Sequence, residues 1–229
     1  HGGGVMASEL QKALGQTPVK IEGRRVTDED ALKAVTMTYA GWCNKSLVAT
    51  LQKHGCNAIG LAGCDANVIT ASKRAPRTLS DGTTVVDYGF VGDVKPSSIN
   101  KETLTLMLTA GLTPVLCAIN HDGNGQLLNT NADTIAAEVA KALARHFDVT
   151  LMFCFEKKGV LRDPEDDDSV IPSITAEEFP QLVEQGVVSG GMLPKLENSF
   201  NAIEAGVSKV IITLADAIDD PTAGTHLTK

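Results

Sequence analysis

The stretch NADTIAAEVAKALARHFDVTLMFCF, residues 131–155, decides the fold class of this chain. In residues 131–147 the apolar side chains recur at the three- and four-residue spacing of one helix face. Residues 149–155 form a short apolar run with the length of a buried strand. A helix that leads directly into a buried strand is the repeating unit of an α/β protein.

The same alternation continues on both sides of this stretch. Helical patterns cover residues 5–14, 27–55, 100–111, 175–186 and 190–206, and strand patterns cover residues 57–63, 113–119 and 209–213. We therefore expect a three-layer αβα sandwich with a mostly parallel central sheet. Thr175 and Glu178 predict a capping box at a helix start. Residues 68–94 differ, because Asp81-Gly82 predicts a β-hairpin and an antiparallel flap.

The composition excludes several functional classes. The chain has 229 residues, a formal net charge of -8 and a pI near 5.1, which argues against a nucleic-acid-binding face. No apolar run is long enough to cross a membrane, and no linker divides the chain, so we expect one domain over residues 1–229. The five cysteines lack CxxC spacing, and we expect buried thiols in a reducing cytoplasm: Cys43, Cys56, Cys64, Cys117 and Cys154.

Glycines that precede helices are the first candidate site. Residues 1–4 read HGGG and residues 189–195 read SGGMLPK. Helix N-termini attract anions, and glycine lets the backbone approach them closely. A flexible linker would also explain the first run, and a solvated helix lysine would also explain Lys195. The sequence has no GxxxxGK[ST], GxGxxG, GxSxG or HExxH motif and no spaced His/Cys cluster, so we expect neither a protein nucleophile nor a transition metal.

Three further segments allow two interpretations each. In GRRVT, Arg24 or Arg25 could clamp a carboxylate or form surface charge pairs. In NTNAD, Asn131 could contact a ligand or cap the next helix. The turn EKKGVL could border a nucleotide or be an ordinary connection. The acidic run PEDDD indicates a solvated loop, with magnesium binding as the lesser alternative.

The order of these motifs resembles the amino-acid kinase family. HGGG, GRRVT, NTNAD, GVL, GGMLPK and a closing GT follow one another at fitting distances over essentially the whole chain. Within the family, GRRVT and NTNAD are similar to the branch that acts on N-acetylglutamate. The resemblance implies ATP-dependent phosphorylation of the γ-carboxylate of N-acetyl-L-glutamate to an acyl phosphate, the second step of arginine biosynthesis. It implies Mg²⁺ carried with the nucleotide and no metal site made by the protein alone.

The resemblance leaves some alternatives open. The same reaction on another N-acylated glutamate, such as N-succinylglutamate, or on aminoadipate would fit the motifs, as would a non-catalytic nucleotide or amino-acid sensor. The resemblance also implies a homodimer or larger homo-oligomer in the cytoplasm, whose partners are an N-acylated glutamate and ATP rather than nucleic acid or membrane.

The resemblance assigns roles to individual residues. Gly3 and Gly4 would offer backbone N–H groups to the transferred phosphoryl group and to the reacting carboxylate. Arg25 would hold the α-carboxylate of the substrate, and Asn129 would bind its acyl-amino end together with Asn131. Because the nucleophile is then the substrate's own ionised carboxylate, the protein needs no catalytic base.

The remaining roles concern the nucleotide. Asp133 would hold the catalytic lysines in place, and Lys195 would neutralise phosphate charge during transfer. The nucleotide-binding residues would be Glu156, Lys158, Gly159, Val160, Leu161, Val187, Val188 and Ser189. Residues 1–120 would bind the acylated amino acid under a lid at 68–94, and residues 121–229 would bind the nucleotide.

The sequence departs from the family pattern in three places. Family members carry a K-x-GG motif on a strand ahead of the glycines, and we expect this first strand to lie outside the present sequence. CFEKKGVL replaces a turn that usually contains Asp, so the nucleotide contacts near Glu156 and Lys158 are expected to differ. The run from Ala215 to GTHLTK is shorter than in relatives.

Overall fold

The computed structural model describes residues 1–189 and 192–229. It divides into two compact units, His1–Ile135 and Ala136–Lys229. Helices and strands alternate in both units, which confirms the α/β class. The expected helix start at Gly190 and Gly191 lies outside the described residues.

The helices of the first unit differ at their starts, since some have a side-chain cap and others have none. They are α1 (Gly4–Ala13), α2 (Glu29–Thr36), α3 (Asn44–Lys53), α4 (Lys101–Thr109) and the start of α5 (Ala132–Leu143). The Asp28 side chain accepts a hydrogen bond from the Ala31 N–H at 2.8 Å, and Asn100 does the same for the Thr103 N–H at 3.1 Å.

The long helix predicted over residues 27–55 is interrupted. A π-helical segment, Met37–Cys43, separates α2 from α3. The spacing of apolar residues does not distinguish an α-helix from a short π-helical segment. Segments of this kind often occur at functional sites. The segment contains the buried Tyr39, which packs beside the glycine run at the start of the chain.

The strands of the first unit are short and paired two by two. The pairs are β1 (Lys20–Ile21) with β2 (Arg24–Arg25), β3 (Ala58–Leu61) with β8 (Thr113–Leu116), β4 (Ser72–Lys73) with β7 (Gly92–Asp93), β5 (Arg77–Thr78) with β6 (Val85–Val86), and β9 (Ile119–His121) with β10 (Leu127–Asn129). Only the β3–β8 pair is parallel among these described strands. The hairpin predicted at Asp81-Gly82 is confirmed by the antiparallel β5–β6 pair.

The second unit is built on one four-stranded sheet. Its strands are β11 (Thr150–Phe155), β12 (Ser173–Thr175), β13 (Lys209–Leu214) and β14 (Thr225–Thr228), in the order β11-β13-β14-β12. β11 runs parallel to β13 and β12 runs parallel to β14, whereas β13 and β14 are antiparallel. The sequence did not predict β14, because THLT is too short and polar to stand out.

The core of the second unit lies among this sheet, α5, α6 (Phe179–Glu184) and α7 (Met192–Glu204). Leu196, Ile212 and Leu227 are fully buried there. Burying a side chain of this size stabilises the fold by roughly 1.5–3 kcal/mol. The reciprocal hydrogen bonds of the predicted capping box form, since the Thr175 N–H donates to Glu178 at 2.9 Å and the Glu178 N–H donates back to the Thr175 hydroxyl at 3.2 Å. The helix itself starts later than predicted, because Thr175 ends β12 and α6 begins at Phe179.

Two further expectations are changed by the structure. The expectation of buried thiols is wrong for Cys64 and Cys154, which are exposed because they stand on a loop and on the outer face of β11. The predicted strand 113–119 splits into β8 and the start of β9. Among the described residues, no helix has the length and apolarity that a membrane span needs.

Candidate active site

The first unit contains a cavity of about 270 Å³ at the N-terminal end of α1. It collects all five residues predicted to bind the acylated amino acid: Gly3, Gly4, Arg25, Asn129 and Asn131. Arg24, the other candidate clamp of the GRRVT motif, also lines it, together with three side chains that the sequence interpretation did not consider: Lys20, Tyr39 and Arg74. No carboxylate side chain is among the described residues of its wall. The cavity is therefore suited to an anion.

The glycine run has a structural reason as well as a functional one. Gly3 has φ 147°, a backbone conformation that other residues rarely adopt, and a Cβ there would lie 2.8 Å from Cys43 Sγ and 3.0 Å from the Tyr39 ring. A Cβ on Gly2 or Gly4 would meet nothing closer than 3.8 Å. No side chain caps α1 at Gly3. Its first turn therefore presents backbone N–H groups and a partial positive charge to the cavity.

Arg25 is buried and held by α1. Its Nη2 donates to the Gly4 carbonyl at 2.8 Å and to Ser8 Oγ at 2.7 Å, and its Nη1 donates to Gln11. All three acceptors are uncharged, so these bonds orient the guanidinium without neutralising it. Burial raises the pKa of the neighbouring Tyr39, and the Arg25 charge opposes that rise. A positioned cation of this kind favours a carboxylate partner.

Asn129 ends β10 and is oriented by a buried threonine. Its Nδ2 donates to Thr27 Oγ1 at 3.0 Å, and Thr27 is fully buried. The Asn129 N–H donates to the Phe90 carbonyl at 2.9 Å, which fixes the backbone at the same point. Thr27 is the last residue of the GRRVT motif. Its position two residues after Arg25 could have indicated that it lies near the site, but the sequence interpretation assigned it no role.

Asn131 and Asp133 lie at the start of α5. Asn131 Oδ1 accepts a hydrogen bond from the Thr134 N–H at 2.9 Å, so this residue is a helix cap that also lines the cavity. Asp133 is in the first helical turn, where a negative charge stabilises the helix. Both interpretations of Asn131 are therefore compatible with its position.

The second unit contains a different kind of cavity, of about 520 Å³. Lys195, on α7, lines it together with Phe155, Glu156 and Met192. The Lys195 ammonium lies 3.6 Å from the centroid of the Phe155 ring. A cation over an aromatic face is held electrostatically, which gives this lysine a defined position at the end of β11.

A second cavity of about 200 Å³ in the same unit gathers most of the predicted nucleotide residues. Gly159, Val160, Leu161, Val187 and Ser189 line it. Its described wall is mainly apolar, as expected for a surface against which a flat heterocycle packs.

Two predicted nucleotide residues are placed elsewhere. Lys158 is exposed and pairs with Asp168 at 2.6 Å, whereas Lys157 lines both cavities and pairs with Asp167 at 2.7 Å. Val188 is buried in the hydrophobic core. The PEDDD loop therefore supplies ion-pair partners, and among the described residues no group of three His, Cys, Asp or Glu side chains could hold a metal.

Thr225 fixes the glycine turn beside this second cavity. Its Oγ1 accepts a hydrogen bond from the Val160 N–H at 2.8 Å and donates to the Ile171 carbonyl at 2.7 Å. A Cβ on Gly159 would lie 2.7 Å from the same hydroxyl, so glycine is required there. The closing GT of the sequence contains Thr225, although its role as a clamp could not be predicted from composition.

Comparison with known proteins gives consistent results. The sequence model of the amino acid kinase family matches residues 1–214. An acetylglutamate kinase of Phocaeicola vulgatus is 57% identical over 96% of this chain and 82% of its own length. An acetylglutamate kinase of Bacteroides thetaiotaomicron is 54% identical over 100% of this chain and 85% of its own. The crystal structure of smu.665 from Streptococcus mutans superposes with a TM-score of 0.77 at 30% identity, over 100% of this chain and 84% of that one.

Proposed function

This chain belongs to the amino acid kinase family, and from that premise we propose that it phosphorylates the γ-carboxylate of N-acetyl-L-glutamate with ATP. The product is an acyl phosphate, and the reaction is the second step of arginine biosynthesis. The observation that carries this function is the carboxylate-free cavity in which the glycine run, Arg25 and Asn129 meet.

The first unit supplies the acceptor site. Arg25, oriented by Gly4, Ser8 and Gln11, binds the α-carboxylate, and Asn129 binds the acyl-amino group. The γ-carboxylate is ionised at neutral pH and attacks the γ-phosphorus directly, so no side chain has to remove a proton. The backbone N–H groups at the start of α1 stabilise the negative charge that collects on the transferred group.

The second unit supplies the donor site. The adenine ring packs against Val160, Leu161 and Val187, and the Lys195 ammonium neutralises charge on the phosphates. Mg²⁺ enters with the nucleotide and shields the phosphate charge, in keeping with the tendency of this ion to bind through phosphates and water. Asp133 is proposed to hold the catalytic lysines, and residues 68–94 are proposed to cover the acylated amino acid.

Assembly and location are also proposals. Trp42 is 67% exposed and Met37 is 53% exposed on the same π-helical segment, which fits burial against another subunit of a homo-oligomer. All five thiols are free, as expected for a protein of a reducing cytoplasm.

The function is tested by offering the full-length protein ATP, Mg²⁺ and N-acetyl-L-glutamate in the presence of hydroxylamine. We expect ADP and a γ-hydroxamate in equal amounts, and neither product with free L-glutamate or L-aspartate. ADP release without hydroxamate, or no turnover with any N-acylated glutamate, would reject the proposal.

A further inference from the structure

Tyr39 is a buried side chain at the acceptor cavity to which the proposed reaction gives no role. It is 6% exposed, and it lines the cavity of the first unit beside Gly3, Gly4 and Arg25. The other tyrosine of this chain, Tyr88, is not among the described residues of that wall. A buried phenol hydroxyl normally has a hydrogen-bond partner. The identity of that partner therefore decides what Tyr39 does.

The packing of the Tyr39 ring fixes where its hydroxyl lies. A Cβ on Gly3 would be 3.0 Å from Tyr39 Cδ1 and 3.3 Å from Cε1, so the ring lies directly against the glycine backbone. The hydroxyl oxygen is 3.9 Å from the position that a Cβ on Gly4 would take. Cys43, on the same π-helical segment, packs on Gly3 from the same helix. The phenol hydroxyl therefore lies at the first turn of α1.

Arg25 leaves few donors for a substrate carboxylate. A guanidinium has five N–H donors. Three of the hydrogen bonds of Arg25 go to α1, to Gly4, Ser8 and Gln11. At most two donors therefore remain for the α-carboxylate, whose two oxygens accept about four hydrogen bonds. An oxygen without its hydrogen bonds costs free energy in a closed site, and a second donor beside Arg25 removes that cost.

The electrostatics of the site orient the Tyr39 hydroxyl. Burial raises the pKa of the phenol, and the Arg25 guanidinium opposes this rise through its charge and through a side-chain hydrogen bond. Because a guanidinium has no acceptor atom, the phenol oxygen faces Arg25 and its proton points away from it. No carboxylate is among the described residues of the cavity wall, and no described residue accepts a hydrogen bond from this hydroxyl. The proton is therefore available to an acceptor in the cavity.

We propose that Tyr39 binds the α-carboxylate of the substrate together with Arg25, by donating a hydrogen bond from its phenol hydroxyl. This inference rests on the proposed kinase function and adds a substrate-binding residue to its acceptor site. Arg25 supplies the positive charge, and the neutral phenol supplies a further donor, whose bond to a carboxylate is charge-assisted. Because the same ring packs on Gly3, Tyr39 connects the α-carboxylate to the glycines proposed to receive the phosphoryl group.

Two acceptors that differ in the α-carboxylate alone test this assignment. N-acetyl-L-glutamate has this group, and 4-acetamidobutanoate has the same reacting carboxylate and acetylamino group without it. Y39F keeps the ring against Gly3 and removes the hydroxyl. We expect Y39F to lower kcat/KM for N-acetyl-L-glutamate by about tenfold, as for a charge-assisted hydrogen bond, mainly through KM. It should change kcat/KM for 4-acetamidobutanoate by less than about twofold.

Y88F is the matched control. The Tyr88 hydroxyl donates to the Ile21 carbonyl at 3.3 Å, so its removal affects a bond within the protein. Y88F should therefore leave the ratio of the two kcat/KM values unchanged. Equal losses on both acceptors in Y39F would make the Tyr39 hydroxyl structural and overturn the assignment. An unchanged kcat/KM for N-acetyl-L-glutamate in Y39F would overturn it as well.

A spectroscopic measurement follows the hydroxyl without turnover. In full-length protein labelled with ¹³C at tyrosine Cζ, the signal lost in Y39F belongs to Tyr39 and the signal lost in Y88F belongs to Tyr88. Saturating N-acetyl-L-glutamate should shift the Tyr39 signal more than saturating 4-acetamidobutanoate does, and the Tyr88 signal should stay in place. Equal shifts of the Tyr39 signal by the two acceptors would contradict a bond to the α-carboxylate.

Calorimetric binding of both acceptors without nucleotide separates this inference from the kinase function. Binding of N-acetyl-L-glutamate that weakens in Y39F and not in Y88F, in a protein that forms no hydroxamate, would reject the kinase function and keep the Tyr39 assignment. Hydroxamate formation from N-acetyl-L-glutamate, with equal effects of Y39F on the two acceptors, would keep the function and reject the assignment.

Discussion

The cavities of the two units differ in the polarity of the residues that line them. In the first unit, the wall contains backbone N–H groups, cationic side chains and amides, and hydrogen bonds orient several of them, such as the bond from Asn129 to Thr27. In the second unit, the wall consists of glycine, aliphatic and aromatic groups, with Lys195 held over Phe155. The first arrangement suits a small, highly charged molecule bound through directed hydrogen bonds, and the second suits a large flat molecule bound through contact area.

This difference indicates that one unit determines which acceptor binds, whereas the other neutralises the charge of the nucleotide phosphates. In the proposed function, polar networks select the acceptor, because a misplaced carboxylate would leave Arg25 buried without an anionic partner. In the proposed function, the apolar wall positions the nucleotide, and Lys195 and Mg²⁺ neutralise the phosphate charge. The following variants test that division, from the largest expected effect to the smallest.

The charge of Lys195 should matter most. K195M keeps an apolar chain against Phe155 and removes the cation, so we expect kcat to fall by about a hundredfold or more, as when one transition-state donor is removed. KM for N-acetylglutamate should change little. The measurement is steady-state turnover beside K209M, a control on β13 that lines neither cavity of this unit. A normal kcat in K195M would exclude this residue from phosphoryl transfer.

Arg25 should affect the acceptor alone. R25K keeps the charge but loses the planar fork that bonds Gly4, Ser8 and Gln11, so we expect KM for N-acetylglutamate to rise by about tenfold or more. KM for ATP should stay within about twofold. R77K is the matched control in the same unit. A larger rise in KM for ATP than for the acceptor would contradict the separation of the two sites.

Two buried threonines allow a direct comparison between the units. T27V removes the acceptor for Asn129, and T225V removes the hydroxyl that holds Val160 and Ile171. Each loss leaves a buried polar group unpaired, so we expect changes of about three- to tenfold. T27V should raise KM for N-acetylglutamate only, and T225V should raise KM for ATP only. Melting curves of both variants identify any general loss of stability. A rise in KM for ATP in T27V, or in KM for N-acetylglutamate in T225V, would refute the assignment.

The stability of the hairpin turn at Asp81 should depend on pH. Asp81 accepts hydrogen bonds from the Thr83 and Thr84 N–H groups and from the Thr84 hydroxyl, and these bonds, that hydroxyl first, lower its pKa to about 2. Because the pKa is lower in the folded state, the carboxylate stabilises the hairpin above its ordinary pKa, and this contribution is lost as the pH falls towards 2.

The difference in unfolding free energy between the wild type and D81N should therefore be largest at neutral pH and shrink between about pH 4 and 2. Urea titrations at several pH values measure it, with D87N as a nearby control. A difference that is constant with pH would show that the Asp81 charge does not hold the turn.

The sequence predicted the elements whose pattern is local. α5, α7 and β11 follow from apolar periodicity, and the Thr175–Glu178 capping box follows from spacing. β14 and the π-helical segment were not predictable in this way. β14 exists because β12 and β13 flank it in space, and the π segment depends on Tyr39 packing at the glycine run.

The same limit applies to the candidate site. Motif order placed Arg25 and Asn129 in one cavity, but the partners that orient them, Gln11 and Thr27, are distant in sequence and chemically ordinary. Arg74 is the clearest omission, since nothing in ITASKRAP indicates that this residue reaches the wall of the cavity. The sequence likewise did not indicate that Lys157 rather than Lys158 lines the cavities of the second unit, or which aspartate each lysine pairs with.

The most direct test of the division between the units is hydrogen–deuterium exchange of the full-length protein with each substrate alone. N-acetyl-L-glutamate should protect the first turn of α1 and residues 127–131, and ATP with Mg²⁺ should protect residues 155–161 and 187–189. Protection of the same unit by both ligands, or protection by N-acetyl-L-glutamate confined to the second unit, would contradict the account.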